Sequence, residues 1–340
     1  MENVQDNLVL GLYHLGFRII NKFINIINFF IEYCYMKKTN IIEHIKLIQS
    51  SNNCNIDNNN RTLISNICKI NLCDIISKNY KIIKTIYEKM NKAVYLIENK
   101  KEKKLNIIKL KNIKVLDGEE EIIYSKLKEI NNNNLLEIES YTKTDLLFYV
   151  IYPFYDGLLL SDYFKLNKID SVITILIIKQ ITNGLKYLHD NNLIHCDLKL
   201  DNIMILDNLN LKIIDYDLVK YCPNKDGVIM NQIIGTVKYL APESIDLKLY
   251  SKKTDIWSLG IIIYYLIFNK YPINSQEILY EDSYTFSKRN KYKHIDFNNE
   301  NIYIDYYLNI IIELLKNMLK FNERKRYNID KIIKILDRIE

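Results

Sequence analysis

IHCDLKLDN, residues 194–202, sets an acid, a lysine and an amide at Asp197, Lys199 and Asn202 among apolar neighbours. Short polar side chains of this kind are common at helix ends and turns, where they bond the local backbone. A polar turn is therefore the plain reading of these nine residues, and a site for chemistry is the sharper one. The rest of the chain has to decide between them.

The chain has 340 residues, 48% of them hydrophobic and 11% aromatic, which suffices for a buried core and excludes a wholly disordered protein. Gly (8) and Pro (4) are scarce, so each one retained carries more meaning. The 47 basic and 41 acidic residues leave a formal charge of +6 with no long basic tract, so no nucleic-acid partner is expected. Six cysteines without a CxxC pair suggest neither a zinc site nor a disulfide framework, which fits an intracellular, most simply cytoplasmic, protein. The first residues, MENVQDN, lack the pattern of a secretory signal. Residues 8–36 are apolar but interrupted by His14, Arg18, Lys22 and Glu32, and the longest uncharged piece, 23–31, is far short of the ~20 residues a membrane span needs. A helix packed on protein is the expectation there, with an interfacial amphipathic helix as the alternative.

Residues 1–50 and 61–78 have apolar residues at helical spacing on either side of an Asn-rich stretch at 51–61. From Tyr80 the pattern changes. YKIIKTIYE (80–88), KAVYLIEN (92–99), LNIIKL (105–110) and LLFYVIY (146–152) read as strands, with EEEIIYSKLKEI (119–130) as a helix among them. From Ser171 helices dominate, including SVITILIIKQITNGLKYLHD (171–190), TDIWSLGIIIYYLIF (254–268) and NIIIELLKNMLKF (309–321). The expected class is α+β: a small antiparallel-sheet lobe followed by a larger helical lobe, behind an N-terminal helical extension.

After IHCDLKLDN come LKIIDYDLVK (211–220), GTVKYLAPE (235–243) and TDIWSLG (254–260). In this order and at these separations the chain resembles the eukaryotic-type protein kinases, whose set runs H-R-D-L-x-x-x-N, D-F-G, A-P-E. The resemblance covers roughly residues 80–340. It implies a two-lobed kinase domain over 79–340, with a small lobe at 79–152, a hinge at 152–157 and a large lobe at 158–340, and it leaves 1–78 as an extension.

The resemblance also implies roles. Asp197 would accept the proton of the substrate hydroxyl, Lys199 would face the transferring phosphate, and Thr236 would bond near both. Asn202 and Asp215 would offer oxygens to Mg²⁺, or to Mn²⁺ in its place. Lys109 takes the place of the strand lysine that grips the phosphates of ATP, in a region that also holds Lys103, Lys104 and Lys111. Its helix carboxylate would be one of Glu119, Glu120 and Glu121. Glu120 is preferred because Ile123, Tyr124 and Leu127 then follow on the same helix face, and Glu121 is the reserve. Ile86, Val94 and Met204 would line the adenine slot, Ile151 would lie at its back, and the backbone of Tyr152 and Phe154 would pair with the adenine edge. Glu243 would form a buried ion pair with Arg326, and Asp255 would brace the catalytic loop. Lys199 and GTVKY resemble the serine/threonine class, which implies a protein substrate.

The chain departs from the pattern in four places. Tyr87, Lys89 and Lys92 stand where the glycine-rich loop has glycines, so backbone N–H groups approach a phosphate less closely. Cys196 replaces the arginine that pairs with a phosphorylated activation loop. Asp217 replaces the glycine of D-F-G, adding a negative charge near the metal ligands, and Ile107 replaces a small residue facing adenine. Two functions are therefore carried forward: a protein serine/threonine kinase that does not wait for activation-loop phosphorylation, and a pseudokinase that binds partners with little or no transfer.

Overall fold

The computed structural model describes residues 78–89, 92–113, 118–145, 147–167, 170–224, 226–273, 295, 297 and 306–339. The expectations for residues 1–77, including the apolar stretch at 8–36, lie outside the described residues.

Five strands, β1 (Tyr80–Lys89), β2 (Lys92–Asn99), β3 (Leu105–Asn112), β4 (Ser140–Lys143) and β5 (Leu147–Pro153), form an antiparallel sheet in the order β1-β2-β3-β5-β4. Strand side chains alternate between faces, and the sheet uses both. On one face Ala93, Tyr95 and Ile97 pack with Ile108, Leu110, Leu147 and Ile151. On the other, Phe148, Val150 and Tyr152 meet Ile123, Tyr124 and Leu127 of helix α1 (Glu120–Lys128) and join the core of the large lobe.

In the large lobe β6 (Gly157–Leu159), β8 (Ile203–Leu206) and β9 (Leu211–Ile213) form a short sheet, separate from β7 (Leu193–Ile194). It rests on helices α2 (Leu160–Leu166) and α3 (Ser171–Asp190). The N-cap of α3 is Asp170, whose side chain accepts from Ile173 N. Strands β10 (Lys220–Tyr221) and β11 (Val228–Ile229), helix α4 (Pro242–Asp246) and strand β12 (Leu249–Tyr250) carry the chain to helix α5 (Lys252–Phe268). A capping box of Ser251 and Thr254 starts α5, and Asn269 ends it in the left-handed region, φ 50°. Helix α5 is buried nearly all round, with Trp257 wholly inside, which is why its sequence shows no polar stripe. Helices α6 (Tyr306–Met318) and α7 (Ile329–Leu336) close the lobe, α6 ending three residues before the apolar run does. The sheet-rich then helix-rich order read from the sequence is the observed architecture.

Candidate active site

The stretch 194–202 leaves β7, crosses a loop and ends in a 3-10 turn at Leu200–Asn202. The loop hangs on Asp255, a buried carboxylate in the first turn of α5. Asp255 Oδ2 accepts from His195 N at 2.8 Å and Oδ1 from Cys196 N at 3.0 Å, while His189 Nε2 lies 2.9 Å from Oδ2. A helix N-terminus is a favourable place for that charge.

Four polar side chains then close on one another. Thr236 Oγ1 donates to Asp197 Oδ1 at 2.7 Å, Lys199 Nζ donates to Thr236 Oγ1 at 2.8 Å, and Lys199 Nζ lies 2.9 Å from Asp197 Oδ2. Asn202 Nδ2 donates to the Asp197 carbonyl at 2.8 Å and to Oδ2 at 3.1 Å. The polar-turn reading of 194–202 thus captures the backbone and misses the convergence, because Thr236 arrives from 39 residues away.

Gly235 sets Thr236 in place. Its φ is +97°, a region that L side chains avoid, and a Cβ there would fall 2.7 Å from the Cys196 carbonyl oxygen. Gly235→Ala is therefore expected to cost about 1–3 kcal/mol and to push Thr236 away from Asp197. A lowered melting temperature is the readout, and an unchanged melting temperature would contradict it.

Asp215 follows β9 and is tied to the 194–202 stretch by Ile214 N, which donates to the Asn202 carbonyl at 2.9 Å. Tyr216 is buried and donates its hydroxyl to Leu136 O at 2.9 Å. Asp215 Oδ1 accepts from Lys109 Nζ at 2.6 Å and from Asp217 N at 3.1 Å, and Lys109 Nζ also lies 2.6 Å from Asp217 Oδ1. Burial pulls the Lys109 pKa down, but Asp217 and Asp215 outweigh it and hold the ammonium above the usual lysine range. Burial likewise raises the two carboxylates, and the lysines beside them, Lys109 foremost, bring both below the usual range.

Several expected nucleotide positions fall elsewhere. The Glu120 carboxylate accepts from Gly118 N at 3.1 Å, and the residue of that helix face beside Lys109 and Lys111 is Tyr124, one turn further on. Val94 pairs with Lys109, and Ile107 lies two residues before it on β3, so both share its face. Ile151 does not: it pairs with Ile108 and packs in the opposite cluster, and Tyr152 is the side chain on the face of Lys109. Phe154 N donates to Leu105 O at 3.2 Å, which fixes the alternation of the β3–β5 ladder and turns the polar groups of Tyr152 and Phe154 toward β3. Pro153 C=O, one residue along the ladder from Tyr152, points the other way. Ile86 stands largely exposed where the β1–β2 register skips, and Met204 is half-buried beside Gly157.

Behind the site Glu243 and Arg326 meet as a doubly bonded pair, Nη1 to Oε1 at 2.6 Å and Nη2 to Oε2 at 2.7 Å. The guanidinium lies 4.8 Å from the Trp257 ring centroid.

Residues 80–335 match the family described as protein kinase domain. The chain belongs to the protein kinase family. Over 201 residues the kinase domain is 37% identical to a serine/threonine-protein kinase of Acanthamoeba polyphaga mimivirus, covering 51% of this chain and 70% of that protein. It is 29% identical over 263 residues to calcium-dependent protein kinase 5 of Plasmodium berghei, covering 75% of this chain and 44% of the relative. With serine/threonine-protein kinase 33 of Bos taurus it shares 31% over 181 residues, 50% of this chain and 36% of that one. The chain thus spans less than half the length of the second and third of these relatives. Among the described residues no helix is long and apolar enough to cross a membrane.

Proposed function

We propose that this kinase domain transfers the γ-phosphate of ATP to serine or threonine hydroxyls of a protein substrate. The observation that carries the reading is the closed set of Asp197, Lys199 and Thr236 next to Asp215 and Lys109. In the transfer, the substrate hydroxyl oxygen bonds to the γ-phosphorus, the bond to the β–γ bridging oxygen breaks, and ADP leaves. Asp197 takes the hydroxyl proton, and Lys199 faces the charge on the transferred group. Adenine would pair with Pro153 C=O and Tyr155 N–H, between Val94 and Met204, with Tyr152 at the back. Serine and threonine as acceptors are supported by the names of the viral and bovine relatives.

The residues fit a divalent ion. Asn202 commits its NH₂ to Asp197, which leaves its oxygen as an acceptor, and Asp215 has Oδ2 beyond the oxygen used by Lys109. Among the described residues no group of three or more His, Cys, Asp or Glu could hold a metal alone, so phosphate oxygens have to complete the shell. Bound Mg²⁺ would neutralise phosphate charge.

A second reading, a pseudokinase that binds partners, is supported by Tyr87, Lys89 and Lys92 in place of glycines. Transfer of labelled γ-phosphate from ATP to mixed protein substrates, in wild type but not in Asp197→Asn, separates the two. Activity independent of loop phosphorylation belongs to the same proposal. Between Asp215 and Glu243 the hydroxyl-bearing residues are Tyr216, Tyr221, Thr236 and Tyr239. Tyr216 is buried, Thr236 bonds Asp197 and Tyr239 is buried against Tyr271, while Tyr221 is half-buried in β10 under the Lys126 ammonium, 4.8 Å from the ring centroid. The segment is held by strand pairing and one side chain: β10 pairs with β7, β11 with β12, and the Tyr250 hydroxyl bonds both Ile234 N and Ile234 O. Phosphatase treatment is expected to leave activity intact, and a large loss that maps to Tyr221 would refute this.

A further inference from the structure

Three lysines of the small lobe converge on one carboxylate. Lys92 opens β2, and Lys109 and Lys111 lie two apart on β3. The register sets Lys92 opposite Lys111 and Val94 opposite Lys109, so all three ammonium groups leave one face of the hairpin. Asp217 receives them: Oδ1 lies 2.6 Å from Lys109 Nζ and 2.9 Å from Lys111 Nζ, and Oδ2 pairs with Lys92. The side chains of Lys109 and Lys111 are only 10% and 13% exposed, so water screens their repulsion poorly and an anion between them is required. The backbone binds the arrangement to the metal-ligand loop, because Asp217 N donates to Asp215 Oδ1. Helix α1 offers no acid at this point. Tyr124 faces the lysines, and the Glu120 carboxylate is on Gly118 N.

We propose that Asp217 is the positioning residue that fixes Lys109 for the phosphates of ATP, the task expected of a helix carboxylate. Through Lys92 it also ties the glycine-free β1–β2 hairpin to the loop that carries Asp215. Three ammonium groups against two carboxylates leave the cluster positive, as a polyphosphate needs. The glycine-to-aspartate change in D-F-G and the missing helix acid are then one substitution in two parts: the acid has moved from α1 to the loop.

This rests on the ATP-binding reading above, and equilibrium binding tests it apart from catalysis. A fluorescent ATP analogue bound to the full chain with Mg²⁺ is displaced by ATP or by adenosine, which lacks phosphates. Asp217→Asn is expected to weaken ATP by about tenfold to a hundredfold, the size of a lost charged hydrogen bond, and to leave adenosine within about twofold. KM for ATP should rise with it, and Glu120→Gln should weaken ATP several times less. If Asp217→Asn does not fold, Asp217→Gly takes its place, since it restores the family's residue without restoring a helix acid. Unchanged ATP binding, equal loss of adenosine, or an equal effect of Glu120→Gln would overturn the proposal, as would a wild type that does not bind ATP. A wild type that binds in this pattern but transfers no phosphate would sink the catalytic reading and leave this one standing.

Discussion

Asp197→Asn is expected to slow γ-phosphate transfer by about 10²–10⁴-fold, the usual worth of a positioned general base. The substitution keeps the shape of the side chain and removes its ability to take a proton. Thr236 can still donate to the amide oxygen, but Lys199 loses the charge that lies 2.9 Å from its Nζ and is freed to swing. The loss should therefore appear in kcat, measured with labelled ATP and Mg²⁺, with the protein still folded. Equal specific activity of the two purified proteins would remove Asp197 from the reaction.

Arg326→Ala is the second large effect, and it concerns stability. The pair with Glu243 is buried, with side-chain exposures of 0% and 4%, so truncating one partner leaves a charge without water or counter-ion. Such a loss costs about 3–5 kcal/mol. Arg326 also donates to the carbonyls of Lys320, Phe321 and Lys253, whereas Glu243→Ala leaves those bonds in place. Arg326→Ala should therefore lower the urea midpoint more than Glu243→Ala does. The opposite order would show that the carbonyl contacts contribute little.

Contacts within one loop, or between residues fixed by a family motif, were legible beforehand. Asp197 and Asn202 share a loop of nine residues, and Glu243 with Arg326 is a pairing carried by A-P-E. What escaped was phase. Strand β5 reads Leu-Phe-Tyr-Val-Ile-Tyr-Pro, apolar on both faces, so no alternation tells which residues look toward Lys109. The one-residue offset between Ile151, Tyr152 and Phe154 and the groups on the face and edge of Lys109 follows directly, because a shift of one in a strand exchanges both the faces and the bonded edges. On helix α1 the face was legible, since Ile123, Tyr124 and Leu127 are indeed buried, but the level was not. One turn is about 5.4 Å along the axis, and helical spacing alone repeats the same face at each level. Asp217 was visible as an extra charge. That it faces three lysines depends on the register of β2 against β3, which no local pattern encodes.

The strand pairs that hold residues 220–250 have a consequence for how the cell could govern this protein. If activity does not wait for loop phosphorylation, as proposed, a segment ordered by its own strand pairs needs no modifying enzyme before it is competent and stores no resting state to be released. On the reading proposed above, output follows the number of molecules present. Control then passes to synthesis and destruction, and the half-life of the chain becomes the regulatory variable.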